Sequence, residues 1–180
     1  MHAPVTLSRH RVVFRDVRDD DLPMLFELRR DLALQALLLT VPEATDDASL
    51  HSWIERRQAD AGGMFRVAED ATNNDAIGYV QIGHVHRRNR VGNAGVCLAA
   101  SARGRGLGQA TLAHLIDVAR VELDLVKLLS EVRADNFAAL RYNLLLGFRI
   151  VGTLRKHFVD SDGTAHDVLV LERLLDGFST

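Results

Sequence analysis

The sequence predicts a mixed α/β fold: a central mixed sheet of six to seven strands with helices on both faces. Three observations carry that expectation. Apolar, alternating segments joined by turn residues between positions 64 and 100 read as an antiparallel meander. A glycine- and arginine-rich loop, Ser101-Ala-Arg-Gly-Arg-Gly-Leu-Gly-Gln109, then leads into Leu112, Leu115, Ile116 and Ala119 at helical spacing. After that helix come strand, helix and hairpin signals. The middle therefore reads as a right-handed crossover of near-parallel strands between antiparallel flanks.

In chain order, residues 11–17 alternate as a first strand. Asp19, Asp20 and Asp21 offer cap oxygens and suit a helix start. Leu22, Leu25, Phe26 and Leu28 give a helical stripe that continues, after a break near Asp31, through residues 32–39, and Pro42 ends it. Asp46 or Asp47 caps a further helix with Leu50, Trp53, Ile54 and Arg57 on one face, closed by Gly62-Gly63. Residues 64–68, 76–86 and 94–100 are the meander strands, turning at Asn73-Asn74-Asp75 and Arg87-Arg-Asn-Arg90. Residues 107–121 form a helix, 126–132 a strand, and 136–146 a helix whose C-cap is Gly147. Strands 148–159 and 165–174 flank the turn Asp160-Ser-Asp-Gly163. With no repeat or linker, residues 1–180 are expected to form one domain.

Composition limits the function classes. The 180 residues are 47% hydrophobic and 26% charged, with a net charge of −2. This balance does not recruit nucleic acid or a membrane surface. No apolar run reaches the length of a membrane span, and residues 1–10 lack the pattern of a signal peptide. The single cysteine, Cys97, excludes an internal disulfide and suits a reducing compartment. A cytoplasmic location is the expectation.

The loop at 101–109 has the features of a phosphate cradle. Gly104, Gly106 and Gly108 allow close backbone approach and positive φ. The helix behind them presents free N–H groups and a positive dipole end. Arg103 and Arg105 add forked donors that match phosphate oxygens. A dinucleotide fingerprint fails because Gln109 or Thr111 stands where the third glycine belongs. A Walker loop fails for want of Gly-Lys-Ser/Thr.

The spacing Arg103-x-x-Gly106-x-Gly108 resembles the pyrophosphate loop of the GNAT superfamily of N-acetyltransferases. A second stretch, Asn136-Phe-Ala-Ala-Leu-Arg-Tyr-Asn-Leu-Leu-Leu-Gly-Phe148, resembles the same superfamily's segment, in which Asn opens a helix and Gly-Phe closes it. Together with the meander and closing hairpin, the resemblance covers almost the whole chain. It implies acetyl-CoA as co-substrate, with the pyrophosphate on the amides of Gly104, Arg105, Gly106, Leu107 and Gly108. It implies a pantetheine arm along Val96, Leu98 and Ala100, a thioester carbonyl bonded to a backbone N–H near Cys97 or Leu98, and Asn136 bonded to the arm. A thin acyl chain needs a gap between strands, which divergence of the strands flanking the cradle helix would supply.

Two departures from the family pattern matter. Many relatives carry a tyrosine that protonates the leaving thiolate at the position of Asn143, one residue after Tyr142. One residue rotates a helical side chain by about 100°. Tyr142 and Asn143 are thus both candidates for the catalytic acid side, Asn143 only as a hydrogen-bonding group. Many relatives also carry a glutamate near where Asn93 stands. An acceptor resembling lysine, pKa about 10.4, would be neutral in only about one molecule in a thousand near pH 7.4. An α-amine, pKa about 8, needs far less help. The missing base therefore favours an amino sugar or an α-amine over a polyamine.

The implied activity is acetyl transfer to a primary amine by direct attack in a ternary complex, with a small molecule or a protein N-terminus as acceptor; a homodimer is one assembly open to the chain, whose oligomeric state the sequence does not give. The rivals are a non-catalytic acyl-CoA-binding or interaction module, a polyamine or protein N-terminal acetyltransferase, and an RNA-binding domain using the Arg87–Arg90 turn. The segment 31–39 resembles acetyltransferases of nucleotide amino-sugar pathways and those acting on protein N-termini, and makes Glu27, Asp31, Gln35 and Glu43 candidate acceptor contacts. Cys97 reads as a small buried hydrophobe rather than a nucleophile. His84 and His86 share a strand face but lack further ligands for zinc, so no metal site is expected.

Overall fold

The computed structural model describes residues 11–175. The stretch read above for a signal peptide, 1–10, lies outside the described residues. Seven strands form one sheet: β1 (Val12–Arg15), β2 (Met64–Asp70), β3 (Asp75–His86), β4 (Val91–Leu98), β5 (Lys127–Arg133), β6 (Arg149–Val159) and β7 (Ala165–Leu174). Their spatial order is β1-β2-β3-β4-β5-β7-β6. Only β4 and β5 run parallel, joined by α4 (Leu107–Val121); every other neighbouring pair is antiparallel. This is the mixed sheet the sequence predicts. Among the described residues no helix is long and apolar enough to cross a membrane.

Helices α1 (Leu22–Arg30), α2 (Leu32–Leu37) and α3 (Asp47–Gln58) cover one face of the sheet, and α4 and α5 (Phe137–Leu145) the other. Strand alternation creates the two cores. Cys97 and Tyr79 point toward α1–α3, with Trp53 and Phe65 packed against them, whereas Val96 and Leu98 point toward α4. Leu25, Leu50, Leu107, Leu115 and Leu128 are at most 1% exposed, and each such burial contributes about 1.5–3 kcal/mol before entropy is counted.

The helix starts follow the caps. Asp31 accepts from Leu34 N at 2.9 Å and opens α2 after the expected break. Asp46 rather than Asp47 caps α3, accepting from Ser49 N at 3.0 Å. Asp21 does not cap α1 by its side chain. It is buried, takes the guanidinium of Arg15 at 2.6 and 2.8 Å and accepts from Arg18 N at 2.7 Å. Helix α2 stops at Leu37, two residues short of expectation, because Leu39 turns to a φ of +56°. Strand β4 spans Val91–Leu98 rather than 94–100, and Ala100 lies in a short 3₁₀ turn.

One glycine sets how closely β3 and β4 approach. Gly78 has a φ of +150°, and a Cβ there would stand 2.0 Å from the Cys97 carbonyl oxygen. Only glycine fits. The expectation that His84 and His86 share a face does not hold. The register shifts between Gly83 and His86, His84 adopts a φ of +50°, and His86 Nδ1 accepts from Asn89 N within the turn. No cluster of three or more metal-ligating side chains occurs among the described residues.

Candidate active site

The site begins where β4 and β5 separate. They pair only at Val91, Gly92 and Asn93, opposite Lys127, Leu128 and Leu129. Beyond Asn93, β4 stays with β3 while β5 stays with β7, as the pairs Leu98–Gly78 and Arg133–Val168 show. A wedge therefore opens between residues 94–98 and 130–133. Ala99 N–H donates to Ile77 O at 2.8 Å, toward β3. Since amides alternate sides along a strand, the N–H groups of Val96 and Leu98 face the wedge and that of Cys97 faces β3. Of the two amides named by the resemblance, Leu98 is thus the one aimed at the gap.

At the wide end of the wedge lies the cradle. Gly104 and Gly106 take φ values of +73° and +75°, and Gly106 is the N-cap of α4 without a side-chain cap. A Cβ at Gly104 would meet open space. Leu107 is fully buried and anchors the first turn of α4. The loop thus offers open space over Gly104 beside the N-terminal end of α4, where helix amides suit an anion. The two arginines are fixed by protein partners. Arg103 Nε and Nη2 donate to Leu98 O at 3.2 Å. Arg105 Nη2 donates to the Asp70 carboxylate at 3.0 Å, and Asp70 is only 1% exposed. Only Arg105 meets an opposite charge, since the partner of Arg103 is a neutral carbonyl, and both forks are held at the loop.

The α5 candidates separate clearly. Asn136 Oδ1 accepts from Ala139 N at 3.2 Å and caps the helix. Asn143 is buried, with Nδ2 donating to Ala139 O at 2.9 Å, so its amide turns back along its own helix; Oδ1 has no partner. Tyr142 takes the other direction. A Cβ on Gly108 would stand 3.4 Å from Tyr142 Cε1 and 3.7 Å from Leu98 Cδ1, so the tyrosine ring abuts the start of α4 beside the end of β4. Burial, and to a lesser degree the neighbouring Cys97, pushes its phenol up to about 12. It stays protonated at neutral pH and can donate.

Behind β4 lies a layer that the sequence reading did not anticipate. Cys97 is opposite Tyr79, whose ring meets Trp53 at 5.5 Å between centroids, and Arg29 stacks on Trp53 at 5.1 Å. Arg29 also donates to the fully buried Gln35, which in turn donates to Leu28 O at 2.9 Å. Gln35 therefore builds the wall, while Asp31, Glu27 and Glu43 are exposed and Asp31 serves as the cap of α2. Burial pushes the Cys97 thiol up to about 12, with Arg103, Asp31 and Arg29 all close enough to act on it. The signal in the sequence was faint: an arginine and a tryptophan on separate helices meet only in the fold. The Arg87–Arg90 turn, conversely, is tied down. Arg87 donates to Ala61 O at 2.6 Å, and Arg90 pairs with Asp124.

The acetyltransferase (GNAT) domain family matches residues 11–149. The chain belongs to this family. It is an acyltransferase, and membership makes acetyl-CoA its co-substrate. The chain is similar to the L-amino acid N-acetyltransferase AaaT of Escherichia coli strain K12, at 24% identity over 81% of this chain and 88% of that protein. It is also similar to the phosphinothricin N-acetyltransferase of Streptomyces coelicolor, at 26% identity over 77% and 82%. In fold, it resembles the crystal structure of spermidine N-acetyltransferase from Vibrio cholerae in complex with CoA and spermine. The TM-score is 0.82, the identity 22% and the coverage 92% of this chain and 96% of that one.

Proposed function

We propose that this GNAT enzyme, acting as one domain over residues 1–180, acetylates the α-amine of a small molecule by direct attack in a ternary complex. The observation that carries the reading is the wedge between β4 and β5, with the Leu98 N–H directed into it and the Tyr142 ring beside its end. In this reading the cradle amides of residues 104–108 hold the pyrophosphate, with Arg103 and Arg105 at its rim. Val96 and Leu98 hold the acyl arm through their amides, and Asn136, whose Oδ1 is engaged in capping α5, has its Nδ2 left to donate to the arm. Ala100 lies past the strand end and borders the arm rather than extending the ladder.

The Leu98 N–H donates to the thioester carbonyl oxygen and stabilises the charge that grows there. The neutral amine attacks the carbonyl carbon, the C–S bond breaks, and Tyr142 supplies a proton to the departing sulfur. The surplus proton of the amine leaves to solvent, and solvent returns a proton to the Tyr142 phenolate. Asn143, bonded inside α5, positions that helix and does not touch the reacting atoms. Asn93, at the position of the family's glutamate, is four residues from Cys97, roughly 13 Å along a strand. It supplies no base at the thioester. A weakly basic α-amine suits such a site, because much of it is already neutral near pH 8. The resemblance of segment 31–39 to amino-sugar and protein N-terminal acetyltransferases is compatible with an amine of this basicity.

The experiment is an amine panel with acetyl-CoA, monitored by release of free thiol. Faster turnover of α-amines than of spermidine supports the reading. Faster spermidine turnover overturns it, and release of thiol without transfer to any amine favours a non-acetylating acyl-CoA module.

A further inference from the structure

Gly106, the N-cap of α4, meets a cation from outside the loop. A Cβ placed on Gly106 would stand 3.8 Å from Arg11 Nη1. Arg11 directly precedes β1, whose first residue Val12 pairs with Asp70, and Ala71 N–H donates to Arg11 O at 3.0 Å. The main chain thus fixes Arg11 beside the β2–β3 turn. Asp70 draws it into one group with Arg105. The Asp70 carboxyl is held below its usual range chiefly by the hydrogen bonds from Thr72, and the charges of Arg105 and Arg11 add to the effect. Arg105 takes the carboxylate itself at 3.0 Å, whereas Arg11 has no carboxylate within 4.0 Å among the described residues. The first turn of α4 holds no acidic side chain. A guanidinium set against the positive end of a helix is unfavourable until an anion joins it.

The sheet order gives this cation a side. The wedge opens on the β5 side of β4, while Arg11 and Asp70 come from β1 and β2, on the other side. Acetyl-CoA carries its groups in a fixed order: thioester and arm, pyrophosphate, then the ribose with its 3′-phosphate. We infer that Arg11 binds this 3′-phosphate and makes the enzyme select CoA over its 3′-dephospho form. The inference rests on the cradle reading above, with the arm in the wedge and the pyrophosphate on the amides of residues 104–108. The cofactor then passes the loop toward the β1 side, where Arg11 stands. Arg103 is committed to Leu98 O and Arg105 to Asp70, so Arg11 is the guanidinium left for a further anion. A phosphate monoester carries about two negative charges near neutral pH and matches the forked donors of arginine.

The test is a calorimetric titration of the protein with CoA and with 3′-dephospho-CoA, repeated on Arg11→Gln and Arg11→Lys. Wild-type protein should bind CoA about tenfold tighter than the dephospho form, the yield of one charge-assisted contact. The difference should shrink as salt is raised. Arg11→Gln should weaken CoA about tenfold and leave 3′-dephospho-CoA within about twofold. Arg11→Lys, which keeps the charge without the fork, should retain part of the preference. Equal affinity of the wild type for both compounds overturns the proposal, and that comparison needs no variant to fold. A preference that survives Arg11→Gln overturns it too. Equal weakening of both compounds by Arg11→Gln would put Arg11 on the pyrophosphate and reject the 3′-phosphate assignment. Failure of the cradle reading would look different: neither compound would bind the folded wild type.

Discussion

Arg105 and Asp70 meet 35 residues apart in sequence, the guanidinium donating at 3.0 Å to a carboxylate that is almost fully buried. Asp70 also accepts from Thr72 N at 3.1 Å and Thr72 Oγ1 at 2.7 Å. The β2–β3 turn and the cradle loop are thus fastened to one side chain. Asp70→Asn should cost about 1–3 kcal/mol of stability, the usual penalty for disrupting a buried charged acceptor. It should also raise KM for acetyl-CoA by loosening the loop. Chemical denaturation and steady-state kinetics measure the two effects, and an unchanged KM would show that the loop holds its shape without the pair.

Tyr142→Phe removes the hydroxyl and keeps the ring against Gly108. As the proton donor to sulfur, Tyr142 should account for about 10²-fold in kcat, with KM for acetyl-CoA within about twofold. Asn143→Ala should act differently, lowering stability while leaving the pH profile of kcat unmoved. A Tyr142→Phe enzyme with full kcat would mean that the thiolate leaves unaided.

Cys97 is 1% exposed and its thiol is pushed up to about 12 by burial. Too little thiolate exists near neutral pH for nucleophilic work. Cys97→Ala should retain transfer activity and cost about 1 kcal/mol through lost packing. Mass spectrometry of protein incubated with acetyl-CoA alone should show no acetylated Cys97; a stoichiometric adduct would replace direct attack with a two-step route.

Several carboxylates are held below their usual range. For Asp21, burial pushes upward, but the hydrogen bond from Arg15 and the Arg18 amide outweigh it. Thr72 does the most for Asp70, and Lys127 and Arg149 do it for Glu172. A depressed folded-state value stabilises the fold above the unfolded value, and that contribution is lost as pH falls. Burial likewise holds the His114 imidazole below its ordinary value, so stability should begin to fall as pH drops below about 6.5 and decline further below about pH 4 as the carboxylates protonate. Stability that stays level from about pH 7 to about pH 5 would show that His114 does not contribute.

Much was legible in the sequence because it is local. The meander, the cradle helix and the closing hairpin depend on periodicity and turn residues within a dozen positions, and they stand within a few residues of where they were expected. Gly104 and Gly106 carry the positive φ that their lack of a Cβ suggested. The family followed from two short motifs for the same reason. Three matters depended on distant segments. Whether Tyr142 or Asn143 faces the cradle depends on how α5 packs against Gly108, not on counting residues along the helix. Whether Arg105 is free depends on a carboxylate delivered by another strand. Arg29 meets Trp53 only because α1 and α3 cover the same face of the sheet. Sequence determines which residues can form an element and what chemistry they own. Side-chain direction and partnership come from packing, because a helix or strand can meet its neighbours in several rotations that the local pattern leaves equal.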